Sequence, residues 1–272
     1  SSVSSSSSSS SSGSVSAVAA TKDASLRILF LHGLESSLNG RKAAYLRAKY
    51  AHCECVDLQT SLWNFTRANC WVRHLVRNSR RLHVGAVVLA VAAAVLRFAD
   101  VTLFNGSLLA VLLLVPTLFM MWDAWPEMVS AATHAMMEAC LERTERAVRK
   151  FHPDVVVGSS FGGAVAVFSL LSQFYTGPTV LLCPAHAEVN RRMAFHWTGP
   201  HELPDETRIV IAHGSSDAIV SIEDSRQLAR SDPRVRLHEI QGGHHRLRSL
   251  IGQGDVKCPV DLVSLIEEVV AM

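Results

Sequence analysis

The run Gly158-Ser159-Ser160-Phe161-Gly162-Gly163 fits G-x-S-x-G with Ser160 at its centre. Three valines lead into it and a run of small residues follows, so it reads as a turn between a strand and a helix. That context gives the motif its chemistry. A turn this tight leaves little room for side chains beside the serine, hence the glycines. It lifts the hydroxyl above a sheet, and it aims the start of the next helix at a developing oxyanion. A serine hydroxyl is a weak nucleophile without a base, and the base needs an orienting acid. Asp217 lies in His213-Gly214-Ser215-Ser216-Asp217, and His244 and His245 lie in Gly242-Gly243-His244-His245-Arg246-Leu247. Each candidate sits past the end of an expected strand, where open α/β sheets build their sites. Asp57 is an alternative acid. His32 and His213 read as structural loop histidines. His186, His196 and His201 fall between the fourth and fifth strands and could line an entrance. Asp205, Asp224 and Asp232 read as solvated loop or cap residues.

The elements that must position these groups alternate between strand and helix. Short apolar runs at 27–31, 54–58, 154–157, 179–183, 208–212 and 234–240 read as six strands. Helical spacing is expected over 39–50, 126–150, 161–175, 221–230 and 256–271. Pro126 and Glu127 suit the start of the second of these helices. The fold class this predicts is α/β, a doubly wound and mostly parallel sheet.

With these residues in place, the sequence resembles the α/β-hydrolase superfamily, in particular its small esterase-like members. The resemblance rests on the His32-Gly33-Leu34-Glu35-Ser36-Ser37 loop, the Gly158–Gly163 turn and His245-Arg246-Leu247, and it covers residues 26–60 and 127–271. It implies Ser160 as nucleophile, Asp217 as acid and, because Arg246-Leu247 follows it, His245 as base. It also implies the backbone N–H groups of Leu34 and Phe161 as oxyanion donors. The implied activity is hydrolysis of a small-molecule or lipid-like acyl ester or thioester through an acyl-enzyme. Acyl transfer to another acceptor, or peptide cleavage, would use the same triad. An inactive hydrolase fold serving as a membrane scaffold is the reading of a different class. The triad and oxyanion hole need no cofactor and no metal.

Composition adds a membrane to this picture. Hydrophobic residues make up 49% of the chain, high for a soluble protein. The excess is concentrated at 84–122, where Val84 to Leu96 is uninterrupted by polar side chains and Val101 to Trp122 is mostly Leu, Val, Met and Phe. A helix needs about 20 apolar residues to span the hydrocarbon core. Residues 84–122 are therefore expected to form an inserted hydrophobic helical hairpin, embedded in a membrane. It would interrupt a hydrolase domain made of 25–83 and 123–272. Arg67, Arg73, Arg77, Arg80 and Arg81 before it, and Trp122 and Trp125 at its end, suit membrane flanks and place the domain on the cytoplasmic side. The alternative is an apolar lid over the site.

Residues 1–24 read as a disordered Ser-rich segment. It is acid-poor like a transit peptide but lacks arginine up to residue 20. The net charge of +2 is too small to argue for nucleic acid. Six cysteines without a C-x-x-C suit a reducing setting, and Cys53 and Cys55 beside His52 read as strand residues rather than a zinc site. No feature of the pattern specifies an oligomer.

Overall fold

The computed structural model describes residues 23–34, 38–60, 87, 106–193, 203–254 and 258–272. Six parallel strands form one sheet: β1 (Asp23–Leu31), β2 (Tyr50–Val56), β3 (Val155–Ser159), β4 (Thr179–Leu182), β5 (Ile209–Gly214) and β6 (Val235–Ile240). Their order is β2-β1-β3-β4-β5-β6. Helices α1 (Arg41–Lys49), α2 (Gly106–Phe151), α3 (Phe161–Leu171), α4 (His186–Arg192), α5 (Ile222–Ser231) and α6 (Leu262–Ala271) flank it.

Alternation along the strands divides the core in two. Leu29, Leu31, Val156, Leu181, Ile209 and Ile211 face one side and pack with α2, α3, α4 and α5. Ile28, Phe30, Val155, Val157, Val180, Leu182 and Val210 face the other and pack with α1 and α6. Both faces of the central strands are covered, which is why β3, β4 and β5 are buried at every position, while the edge strands β2 and β6 carry exposed polar residues. On α6, Leu262, Leu265, Ile266 and Val269 are fully buried, each contributing roughly 1.5–3 kcal/mol. Local chemistry sets the ends of these helices. Ser221 caps α5 by accepting the Glu223 N–H, and Asp261 caps α6 by accepting the Ser264 N–H at 2.8 Å.

The chain runs outward from β1 to β2 and then returns to place β3 on β1's other side. That reversal opens a crevice between the C-terminal ends of β1 and β3, the usual place for a site in such a sheet. Leu31 pairs with Gly158 there, so His32-Gly33 and Ser159-Ser160 leave the sheet side by side.

The second apolar segment of the insertion is helical: residues 106–122 are the first part of α2, which runs unbroken for 46 residues through Pro116 and Pro126 to Phe151, well upstream of the expected start at 126. A proline removes one helical hydrogen bond and costs about 3 kcal/mol. The Leu-, Met- and Ala-rich flanks are strong helix formers and carry the helix past it. Among the described residues no helix is long and apolar enough to cross a membrane. The hairpin's first arm (apart from Val87), residues 1–22, Arg67 to Arg81, Cys70, His196 and His201 lie outside the described residues. Helix α4 was not anticipated, and α6 begins at Leu262 rather than 256.

The crevice leaves no room for a side chain at Gly162, where an added Cβ would meet the Leu31 carbonyl oxygen at 2.1 Å. At Gly242 the space is open and only the positive φ of 67° resists substitution. Gly162→Ala should therefore cost about 3 kcal/mol of stability, and Gly242→Ala about 1 kcal/mol. Urea unfolding of the two variants measures the difference, and equal costs would contradict the close approach at Gly162.

Candidate active site

Ser160 occupies the turn between β3 and α3 with φ 57° and ψ −117°, a conformation rarely taken by residues other than glycine. Its surroundings hold it there. Its N–H donates to the Leu182 carbonyl at 2.9 Å, and its own carbonyl accepts from Ala164 and Ala185, both at 3.1 Å. A Cβ on Gly158 would lie 2.6 Å from the Gly162 carbonyl oxygen, and one on Gly163 would lie 3.0 Å from Pro184. The glycines are thus steric requirements of the turn.

His245 bridges the serine and the acid. Its Nε2 lies 2.8 Å from Ser160 Oγ and its Nδ1 lies 2.7 Å from Asp217 Oδ2. With Asp217 ionised, the network assigns Nδ1–H as donor to the carboxylate and Nε2 as acceptor from the serine hydroxyl. His244 instead directs Nδ1 to the Ser216 carbonyl at 3.1 Å and is exposed. Asp57 caps its own turn by accepting the Gln59 N–H.

The loops carrying Asp217 and His245 are tied to each other. Ser215 N–H donates to the Ile240 carbonyl and Ser216 N–H to the Gly243 carbonyl, both at 3.0 Å. Gly242 N–H donates to Ser215 Oγ at 2.9 Å. Gly214 permits this, since a Cβ there would be 2.2 Å from the Gly243 carbonyl oxygen.

The Asp217 side chain is fully buried. Burial alone pushes its carboxyl up, but hydrogen bonds outweigh it and hold the group below the usual carboxylate value. They come from the Val220 N–H at 2.9 Å, His245, the Ile219 N–H at 2.8 Å and the Cys183 thiol. His213 Nε2 adds a contact at 3.3 Å to Asp217 Oδ2 and bonds the Val220 carbonyl, while its Nδ1 meets Ser225 Oγ at 2.7 Å. Burial lowers the His213 pKa and favours its neutral form. His213 thus supports the acid loop, a role its position just before Asp217 in sequence did not distinguish from simple packing. His186 is buried rather than at an entrance, and burial pushes its imidazole down to about 4.

His32 and Thr60 orient the strand-β1 side of the crevice. The His32 Nδ1 and Thr60 hydroxyl both reach the Gly33 carbonyl, at 2.9 and 3.3 Å, and His32 Nε2 accepts the Leu58 N–H. The planar trans peptide turns the Leu34 N–H to the opposite side. Gly33 itself lies against the serine, 3.2 Å from Ser160 Cβ measured from where a Cβ would stand. Phe161, first residue of α3, has an N–H with no intrahelical acceptor. Ser160, His245 and Leu34 line one cavity of about 490 Å³. Cys183, Asp217 and His245 present ligand atoms within 4.8 Å of one another. Burial raises the Cys183 thiol to about 12, which keeps it protonated and a poor metal ligand.

No family model matches the chain, and no curated protein matches its sequence. Solved structures do match. One is a protein of the alpha/beta hydrolase superfamily from Xanthomonas campestris pv. campestris, at 14% identity and TM-score 0.47, covering 92% of this chain and 97% of that one. Another is the alpha/beta hydrolase MGS-MChE2 from a sediment metagenome of the Mar Chica lagoon, at 11% identity and TM-score 0.42, covering 85% and 86%. A CIB-like hydrolase from Thermoplasma acidophilum matches at 15% identity and TM-score 0.34. That alignment takes in 48% of this chain and 60% of the other's length. The chain is similar to α/β hydrolases.

The lowered pKa of Asp217 has a consequence for acid stability. A carboxyl depressed in the fold stabilises it fully above the unfolded value near 3.8, and that contribution is lost as pH falls through the folded value. The gap in urea midpoint between wild type and Asp217→Asn should be widest at neutral pH and narrow below about pH 4. A gap independent of pH would show that the carboxylate charge is not what the N–H groups hold.

Proposed function

We propose that the chain is a serine hydrolase of the α/β-hydrolase superfamily that cleaves a carboxylic ester or thioester through an acyl-enzyme. The observation that carries this reading is the continuous hydrogen-bonded path Ser160–His245–Asp217, with steps of 2.8 and 2.7 Å. Ser160 Oγ attacks the substrate carbonyl as His245 Nε2 accepts its proton. The buried Asp217 carboxylate fixes the ring and stabilises the imidazolium. The Leu34 and Phe161 N–H groups receive the oxyanion, where one such donor is worth about 3 kcal/mol. Collapse breaks the ester bond, and His245 returns the proton to the leaving alcohol or thiol. Water, deprotonated in turn by His245, releases the acid and restores Ser160.

A membrane location for this domain, on the cytoplasmic side, is part of the proposal. Leu118, Trp122 and Trp125 are exposed at i, i+4 and i+7 on α2. Trp side chains at such a stripe favour the interface of a bilayer, with the helix lying on it rather than through it. The arginines between 67 and 81 suit anionic headgroups on that side.

Ser160→Ala should abolish labelling by a fluorophosphonate and hydrolysis of p-nitrophenyl esters. His245→Gln should lower kcat by a factor on the order of 10⁴, while His244→Gln leaves it within about threefold. Full labelling of Ser160→Ala, or a larger loss at 244 than at 245, would sink the assignment. For the membrane, Trp122→Glu with Trp125→Glu should release the protein from sedimenting phosphatidylserine vesicles, and unchanged sedimentation would discard the α2 surface as the anchor.

A further inference from the structure

The cavity over Ser160 carries a charge that ester cleavage by itself does not use. Arg41, Lys42, Arg246 and Arg248 line it beside Ser160 and His245, and no Asp or Glu is among its described lining residues. Several arginines elsewhere are paired with carboxylates, while Arg47 and Arg143 meet backbone and amide oxygens instead. Arg149 meets Glu145, Arg191 meets Asp224, Arg226 meets Glu239, Arg234 meets Asp232 and Arg236 meets Glu268. Around the cavity four cations converge and none of them meets a carboxylate among the described residues. Lys42 Nζ donates to the neutral Ser159 hydroxyl at 3.0 Å, and Arg41 reaches the Gln253 amide oxygen at 3.4 Å. Arg246 and Arg248 make no ion pair with a carboxylate among the described residues.

Lys42 is the informative member of the group. It stands on α1, half-buried, one residue along the chain from the nucleophile through its bond to Ser159. Burial pushes its ammonium down to about 8, so it keeps its charge at neutral pH in a setting that opposes it. No protein carboxylate offsets that cost among the described residues. Arg246 follows His245 directly and Arg248 lies three residues beyond it, so both reach the cavity from the loop after β6. Cations converging on one cleft with low-dielectric walls focus a positive potential into it, and guanidinium groups match the planar carboxylate and the phosphate oxygens.

Resting on the hydrolase reading above, we propose that the ester or thioester cleaved at Ser160 carries an anionic group, a phosphate or a carboxylate, bound by Lys42, Arg246 and Arg248. Lys42 neutralises it near the nucleophile and the two arginines clamp it toward solvent. The cavity, about 490 Å³, has room for such a group beside a short acyl chain.

Two matched substrate pairs test this and separate the sources of charge. Mono-p-nitrophenyl adipate against p-nitrophenyl hexanoate places a carboxylate on the acyl side. Hexanoyl glycerol phosphate against hexanoyl glycerol places a phosphate on the leaving-group side. In at least one pair kcat/KM should favour the anionic member by on the order of tenfold at low salt. That ratio should fall toward one in 0.5 M sodium chloride, and also in Arg246→Gln/Arg248→Gln and in Lys42→Gln. Fluorophosphonate labelling of Ser160 is read in parallel. Labelling with a ratio of one or less in both pairs, or a ratio untouched by all the substitutions, overturns the anionic-substrate proposal and leaves the hydrolase reading standing. No labelling and no turnover of any substrate overturns both.

Discussion

Ser160 sits in a backbone conformation that its side chain disfavours, and the rest of the structure is arranged so that it cannot relax. Such a conformation costs of order 1–3 kcal/mol and persists only where neighbours over-determine it. Here Leu182 holds the N–H, Ala164 and Ala185 hold the carbonyl, and three glycines let the backbone of β1 and the chain after β4 close in. Relaxing that turn would carry Oγ away from His245 and pull the Phe161 N–H with it. The sheet can be viewed as the anvil for this one turn, since β1 and β4 supply the backbone that closes on it while α3 and the chain after β4 hold its carbonyl.

The sheet order explains why the other groups arrive where they do. The reversal between β1 and β3 leaves Gly33 free to approach the serine. The strands β5 and β6 deliver the acid and the histidine from one flank, and α1 delivers Lys42 from the face opposite α3. Each side chain comes from a different loop, yet all loops leave the same edge of the sheet. Parallel strands make this possible because their C-terminal ends all point the same way.

Much of this could be read from the sequence, and the limits are physical. Ser160 and its glycines were legible because a tight strand-to-helix turn excludes side chains. The central strands were legible because burial on both faces leaves valine, leucine and isoleucine runs, while β2 and β6 keep only a partial apolar pattern. The bounds were less so: β2 begins at Tyr50, within the expected first helix, since that short helix is only weakly patterned. His244 and His245 could not be separated by spacing alone, because which of two adjacent rings turns inward depends on the turn that follows. The run of α2 through two prolines escaped because a single proline weighs against helix locally while twenty neighbours decide it collectively. Support by His213, Ser225 and Cys183, and the gathering of Lys42 with Arg246 and Arg248, depend on contacts between residues far apart in the chain, and no local pattern encodes them.

The bonds linking the loops after β5 and β6 make Asp217 and His245 one rigid piece, while Ser160 belongs to a second piece built on β3 and β4. Only the 2.8 Å contact between Nε2 and Oγ crosses the seam among these three side chains. Beneath those side chains the two pieces are joined by the pairing of β4 with β5 and by the Cys183 thiol on Asp217. A small molecule spanning both pieces would act as a splint across the contact between imidazole and hydroxyl.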